Sequence, residues 1–217
     1  MELENIIFFL KLPSLRGVEV YSHLRKHSED ELDALHAAGA RVLRITAASE
    51  GLPEAPLQAS PTLQPRPGEF DESVFAALDL VLHELRERRM RAILVINNMW
   101  SWSGGFATYL VWARGGTWRD IPYPSSHLEG YWEGRVRPHN DAADWDTYQK
   151  WASAFYSTPR AVELSDETVR RLASRTNTLS SRPYAEDATI LAWELCNCLL
   201  YTSDAADEGL GVDLGGR

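Results

Sequence analysis

Three short apolar runs, each ending in a polar residue, constrain this chain more than anything else in it. They are R-V-L-R-I-T at Arg41–Thr46, A-I-L-V-I within Arg91–Asn97, and I-L-A-W-E-L-C-N at Ile190–Asn197. A near-continuous apolar run of this length is how a strand buried on both faces reads, and that is the signature of a parallel strand. Helical patterns separate the runs. Ser28-x-x-Glu31 forms a capping box before Leu32 and Leu35, with Gly39 at the C-cap position. Asp71 caps a second helix carrying Val74, Phe75, Leu78, Val81, Leu82 and Leu85 at helical spacing. The order helix, strand, helix, strand predicts parallel pairing and an α/β fold.

The connections are unequal. Ala47–Gly68 reads as a long loop with five prolines. Asn98–Asp144 reads as a longer excursion, holding Gly104-Gly105, Gly115-Gly116 and I-P-Y-P at Ile121–Pro124. Excursions of this length inside a compact domain are functional or mobile, and this one leaves a strand's C-terminal end. Trp145–Tyr156 reads as a helix, and Thr158-Pro159 starts another that stops near Arg175. Residues 1–26 form an atypical N-terminus with only two weak patterns, a strand-like apolar run at Ile6–Leu10 and a turn at Pro13–Gly17.

Composition narrows the partners. The 217 residues carry a net charge of −9, of which Asp204, Asp207, Glu208 and Asp213 against Arg217 contribute −3. An acidic chain argues against nucleic acid and anionic membranes as partners. Seven of the eight tryptophans lie between Trp100 and Trp151. Flat aromatic faces concentrated in one segment point to stacking, and the acidity favours sugars over bases; ordinary core packing is the bland alternative. Cys196 and Cys198 are too close along the chain for an ordinary disulfide. No metal-ligand spacing or cofactor motif stands out. Ile6–Leu10 follows Glu2 and Glu4 and is too short for a signal-peptide core, and no run is long enough to span a membrane.

If the three strands are parallel neighbours, Arg44-Ile45-Thr46, Asn97-Asn98 and Asn197 gather on one face. Arg44 offers a fixed cationic fork and Asn197 an amide suited to a hydroxyl. Trp100 and Trp102 follow directly on one of those strand ends and could floor a cleft.

Eight segments, in order, resemble glycoside hydrolase family 5, and within it the endo-β-1,4-mannanases. They are E-L-D-A-L-H-A-A-G-A-R-V-L-R-I at 31–45, A-A-S-E-G at 47–51, L-Q-P-R-P-G-E-F-D-E at 63–72 and N-N-M-W-S-W-S-G-G at 97–105, then Y-L-V-W at 109–112, I-P-Y-P at 121–124, R-T-N at 175–177 and A-W-E-L-C-N at 192–197. The resemblance implies a (β/α)8 barrel of which residues 27–197 supply roughly strands two to four with their helices. It implies that Arg44 is the site arginine near the nucleophile and that Asn197 contacts the sugar 2-hydroxyl. One of Trp100 and Trp102 would stack on sugar, and Tyr109 either joins them or packs in the core. It further implies retaining hydrolysis of β-1,4-mannosidic bonds, no cofactor or metal, a β-mannan or related polysaccharide as partner, and export from the cell.

The resemblance fails at a specific point. The family's acid/base glutamate follows the strand-four asparagine in W-E-L-x-N-E-P, and here Cys198 stands there. The nucleophile belongs on strand seven, beyond this chain. Glu194 lies inside the strand, where a structural role fits better, and Glu50 and Asp71 match loop and cap positions. A thiol is a poor proton donor to a leaving oxygen. Residues 198–217 read as the in-frame translation of a sequencing adapter, with C-L-L-Y-T-S-D-A-A-D-E at its start and V-D-L-G-G-R at its end. The expectation is therefore an inactive fragment, with unpaired strand edges that favour aggregation. The rival readings are a non-catalytic carbohydrate-binding protein and another barrel glycosidase of the same clan, an endoglucanase or exo-mannosidase.

Overall fold

The computed structural model describes residues 7–8, 30–52, 54–55, 58–124 and 144–197. Cys198 and the tail, the capping Ser28, and most of residues 1–26 lie outside them. Four parallel strands pair in the order β1 (Ile7–Phe8), β2 (Val42–Thr46), β3 (Arg91–Val95) and β4 (Ile190–Glu194). The three predicted strands are present and parallel. A fourth, two residues long, fills the place before β2 and pairs Ile7 with Arg44.

Helix α1 (30–37) precedes β2 and seats Leu32 in the core. Its chain turns at Gly39, whose φ is +96°. Only a residue without a Cβ takes that conformation cheaply. Helix α2 (Glu72–Glu87) links β2 to β3, and Asp71 caps it by accepting from the Ser73 N–H at 2.8 Å. Its apolar stripe, with Phe75, Val81, Leu82 and Leu85 all buried, packs on Leu43 and Ile45 of β2 and on Ala92 and Leu94 of β3.

The excursion after β3 is not a plain loop. It contains helix α3 (Gly105–Ala113), in which residues 105–111 are all buried. Helix α4 (Trp145–Ser153) and helix α5 (Pro159–Ala173) pack around it. Together they enclose a second core of Met99, Phe106, Tyr109, Leu110, Tyr148, Phe155, Leu164 and Cys196. Helix α4 ends three residues short of the expected Tyr156. Helix α5 begins with Pro159 at its first position, where the missing N–H costs nothing.

Two polar clamps fix β4 against α2. Arg175 forks onto Asp79 at 2.9 and 2.7 Å, and the Tyr184 and Thr178 hydroxyls reach the same carboxylate at 2.6 and 2.8 Å. Burial alone would raise the Asp79 pKa, but the Arg175 fork and the two hydroxyls hold it below the usual carboxylate range. At the start of β4, Arg86 pairs with buried Asp187 and donates to Thr189 Oγ1 at 3.2 Å. These contacts deliver β4 in register, with Val95 opposite Glu194.

Candidate functional site

The sheet's C-terminal edge carries the polar groups. In the register of β2, β3 and β4, Arg44, Ile93, Val95, Ala192 and Glu194 share one face, opposite the face that packs on α2. Arg44 therefore reaches across β3 to Glu194. Its Nε donates to Glu194 Oε2 at 2.7 Å, and its Nη2 pairs with Glu194 Oε1. The same Nη2 donates to Asn197 Oδ1 at 2.9 Å. Asn197 Nδ2 in turn donates to Asn98 Oδ1 at 3.1 Å, and Asn98 Nδ2 to Ser103 Oγ at 2.9 Å.

This array fixes the direction of every amide in it. Asn197 has its oxygen toward Arg44 and its nitrogen toward Asn98, so its orientation is set from both sides. Backbone pairing extends past the strands, from the Asn197 N–H to the Asn97 carbonyl at 3.0 Å and in a parallel bridge between Asn98 and Asn197. Asn97 turns away and donates to Ser165 of α5 at 2.8 Å, inside the protein.

Trp100 and Trp102 lie on the segment that follows Asn98 and are both half-buried. The Trp100 ring packs at a tilt against Trp145 of α4 with centroids 4.7 Å apart, and Trp145 stacks on Tyr148 at 5.4 Å. The segment is held from behind by the β2–α2 loop. Ala59 N–H donates to the Trp102 carbonyl at 2.7 Å, and Glu50 N–H to the Ser103 carbonyl at 2.8 Å. The Glu50 carboxyl is fully buried, and that burial lifts its pKa to about 7 against the Gly105 N–H and Tyr109 hydroxyl, which lower it.

Arg44, Asn197 and the Trp100 segment are thus brought together, as the sequence predicts. Tyr109 is not on that face. It is fully buried on α3, with its hydroxyl 3.0 Å from Glu50 and 2.9 Å from Thr168. Of its two readings, packing is the one that its burial supports. Glu194, read as structural, is the carboxylate that Arg44 forks onto. Its signal in the sequence was a lone acid in an apolar strand matched by a lone Arg in another. In the sequence Trp145 reads as the start of a helix, and nothing local marks it as Trp100's partner. Among the described residues no cluster of His, Cys, Asp and Glu could hold a metal ion. The array offers charge-balanced donors and acceptors beside aromatic faces, a set suited to polyhydroxylated ligands.

Known proteins resemble this chain in sequence and in fold. A family profile described as GH family 5 beta-mannosidase-like matches residues 14–208. The chain belongs to glycoside hydrolase family 5. The match takes in part of both end segments that the sequence reading sets apart. Mannan endo-1,4-beta-mannosidase 1 of Solanum lycopersicum is 30% identical over 160 residues, which are 74% of this chain and 31% of that protein. Mannan endo-1,4-beta-mannosidase 8 of Oryza sativa subsp. japonica is 31% identical over 173 residues, 80% of this chain and 37% of its own length. The matches thus span about a third of these relatives. The crystal structure of a family 5 mannosidase from Rhizomucor miehei superposes with a TM-score of 0.70 at 31% identity, covering 80% of this chain and 39% of that one. The fold is accordingly part of a (β/α)8 barrel, with the Arg44 array at the face where such barrels build their sites.

Proposed function

We propose that this chain is part of a retaining glycoside hydrolase acting on β-1,4-mannosidic bonds, and that it supplies the floor of the substrate cleft. The observation that carries the reading is the Arg44–Glu194–Asn197–Asn98 array, set beside Trp100 at the C-terminal ends of β2, β3 and β4. In this reading Asn197 holds a sugar hydroxyl through its amide, Arg44 orients that amide and lies next to the nucleophile's place, and Trp100 or Trp102 stacks on a sugar ring. The mannan-acting names of the plant relatives and a Rhizomucor miehei mannosidase crystallised with mannosyl-fructose favour mannose-containing substrates. Export from the cell goes with the same reading.

Retaining hydrolysis requires two carboxyls about 5–5.5 Å apart, one as acid/base and one as nucleophile. The residue after Asn197 is Cys198, where the family places the acid/base. Glu194 is engaged by Arg44 and Glu50 is enclosed in the core, so neither substitutes. The 217-residue polypeptide is therefore inactive by itself, and residues 198–217 are foreign to the enzyme. Incubation with mannan tests the first claim: reducing-sugar release above a blank overturns it. An independent genomic read across Asn197 tests the second, and a read encoding Cys198 and the following residues unchanged overturns it. Retention of the chain on mannan without hydrolysis, abolished by Asn197→Ala, is the expected binding result.

A further inference from the structure

Glu50 grips the tryptophan segment on both sides of Gly104. Its N–H donates to Ser103 O at 2.8 Å and its Oε2 accepts from the Gly105 N–H at 2.9 Å. The approach is so close that a Cβ on Gly104 would stand 2.0 Å from the Glu50 carbonyl oxygen. The other carboxyl oxygen begins a buried series: Glu50 Oε1 to Tyr109 Oη at 3.0 Å, Tyr109 Oη to Thr168 Oγ1 at 2.9 Å, and Thr168 Oγ1 to Gln64 Oε1 at 2.9 Å. All four residues are buried. The titratable groups facing this series are Tyr109 of α3 and, from α5, Glu167, which adds to the negative charge felt by Tyr109. Among the described residues no cation pairs with Glu50.

With the Gln64 amide placed as it stands, Oε1 toward Thr168, the protons along the series can be counted. Gln64 Oε1 can only accept, so the Thr168 hydroxyl donates to it. Thr168 must then accept from Tyr109, which spends the single tyrosine proton. The remaining contact needs a proton on Glu50. If Glu50 ionises, all three bonds must reverse, and Gln64 must present Nε2, which is buried with no partner in the present orientation. We propose that Glu50 is a positioning residue that holds the Trp100–Trp102 segment in place as a neutral carboxylic acid, and that its ionisation reverses the Tyr109–Thr168–Gln64 series and releases the segment. Full burial, which lifts the Glu50 pKa to about 7, favours the neutral acid as well. The consequence for sugar binding rests on the reading of Trp100 or Trp102 as a stacking residue. The consequence for the segment does not.

The sign of the pH dependence follows. The folded pKa is raised, so the stability that Glu50 contributes is fully present below the ordinary carboxyl pKa and is lost as pH rises through about 7. Glu50→Gln keeps the direction of the series, because its amide nitrogen donates to Tyr109 and its oxygen accepts from Gly105. Two readouts on the 217-residue chain test the proposal. The infrared carbonyl band of a protonated carboxylic acid should disappear with a midpoint near pH 7 in the wild type and be missing in Glu50→Gln. Tryptophan emission should shift over the same range in the wild type and stay flat in Glu50→Gln. A Glu50 band that titrates as an ordinary exposed carboxyl, or an emission shift that persists in the variant, overturns the proposal. Mannooligosaccharide titrations at pH 6 and 8 separate the two readings. Both spectroscopic results without any sugar binding would sink the stacking role and leave Glu50 as the segment's anchor.

Discussion

Arg44 and Glu194 stand two strands apart, and the arginine fork spans β3 to close on both carboxylate oxygens. That geometry uses the planar guanidinium as a ruler, and Asn197 is set by its third contact. Lysine carries the charge without the fork. Arg44→Lys is expected to cost about 1 kcal/mol in denaturant unfolding, the low end for a partly exposed charged pair. Its larger effect should be on sugar affinity, because Asn197 loses the donor that orients it. Equal affinity for mannooligosaccharides in the variant would detach the array from binding.

Asp79 gives the sharpest stability prediction. It is fully buried, and Arg175, Tyr184 and Thr178 all converge on it. Removing the acid leaves the Arg175 guanidinium largely buried without its main partner. Asp79→Ala should therefore destabilise by about 3–5 kcal/mol. Because the folded pKa is lowered, the contribution of Asp79 is present above its unfolded pKa and is lost as pH falls through the folded value. Acid titration followed by circular dichroism should show the wild type losing this increment and Asp79→Asn lacking it.

These two relationships also mark where sequence reading succeeds and stops. The strands, the Asp71 cap and the Pro159 start are local: each is written in a run of a few residues, and each is found in place. Helix α3 was missed because the period-based signal needs a polar face, and F-A-T-Y-L-V-W is apolar all round. The gathering of Arg44, Asn98 and Asn197 was legible because parallel strands bring their C-terminal ends together. The Arg44–Glu194 fork is not, since 150 residues separate the partners and only the joint register of three strands brings them to one face. Trp145 behind Trp100 was hidden for the same reason.

Gly104 and Gly115 separate two causes of glycine's necessity. Both have positive φ, +86° and +69°. At Gly115 an added Cβ would meet nothing within 4 Å, so Gly115→Ala should cost only the conformational strain, about 1 kcal/mol. At Gly104 the same methyl would run into the Glu50 backbone, which cannot give way without moving the tryptophan segment. Gly104→Ala should destabilise severely and alter tryptophan emission, whereas Gly115→Ala should leave emission unchanged. Similar melting temperatures for the two variants would contradict the close approach.

Of β2, β3 and β4, the last is the most exposed. Leu191 in β4 is 48% exposed and Leu195, just after the strand, 68%, and β4 pairs only with β3 among the described residues. A flat apolar edge with unpaired N–H and C=O groups is a template for another chain. The 217-residue polypeptide should therefore self-associate through β4, with light scattering that grows with concentration. Replacing Leu191 and Leu195 by lysine places charge on that edge and should suppress the association while leaving the α2 core intact, since neither residue belongs to it. Scattering that is unchanged by the double substitution would move the association to a different surface.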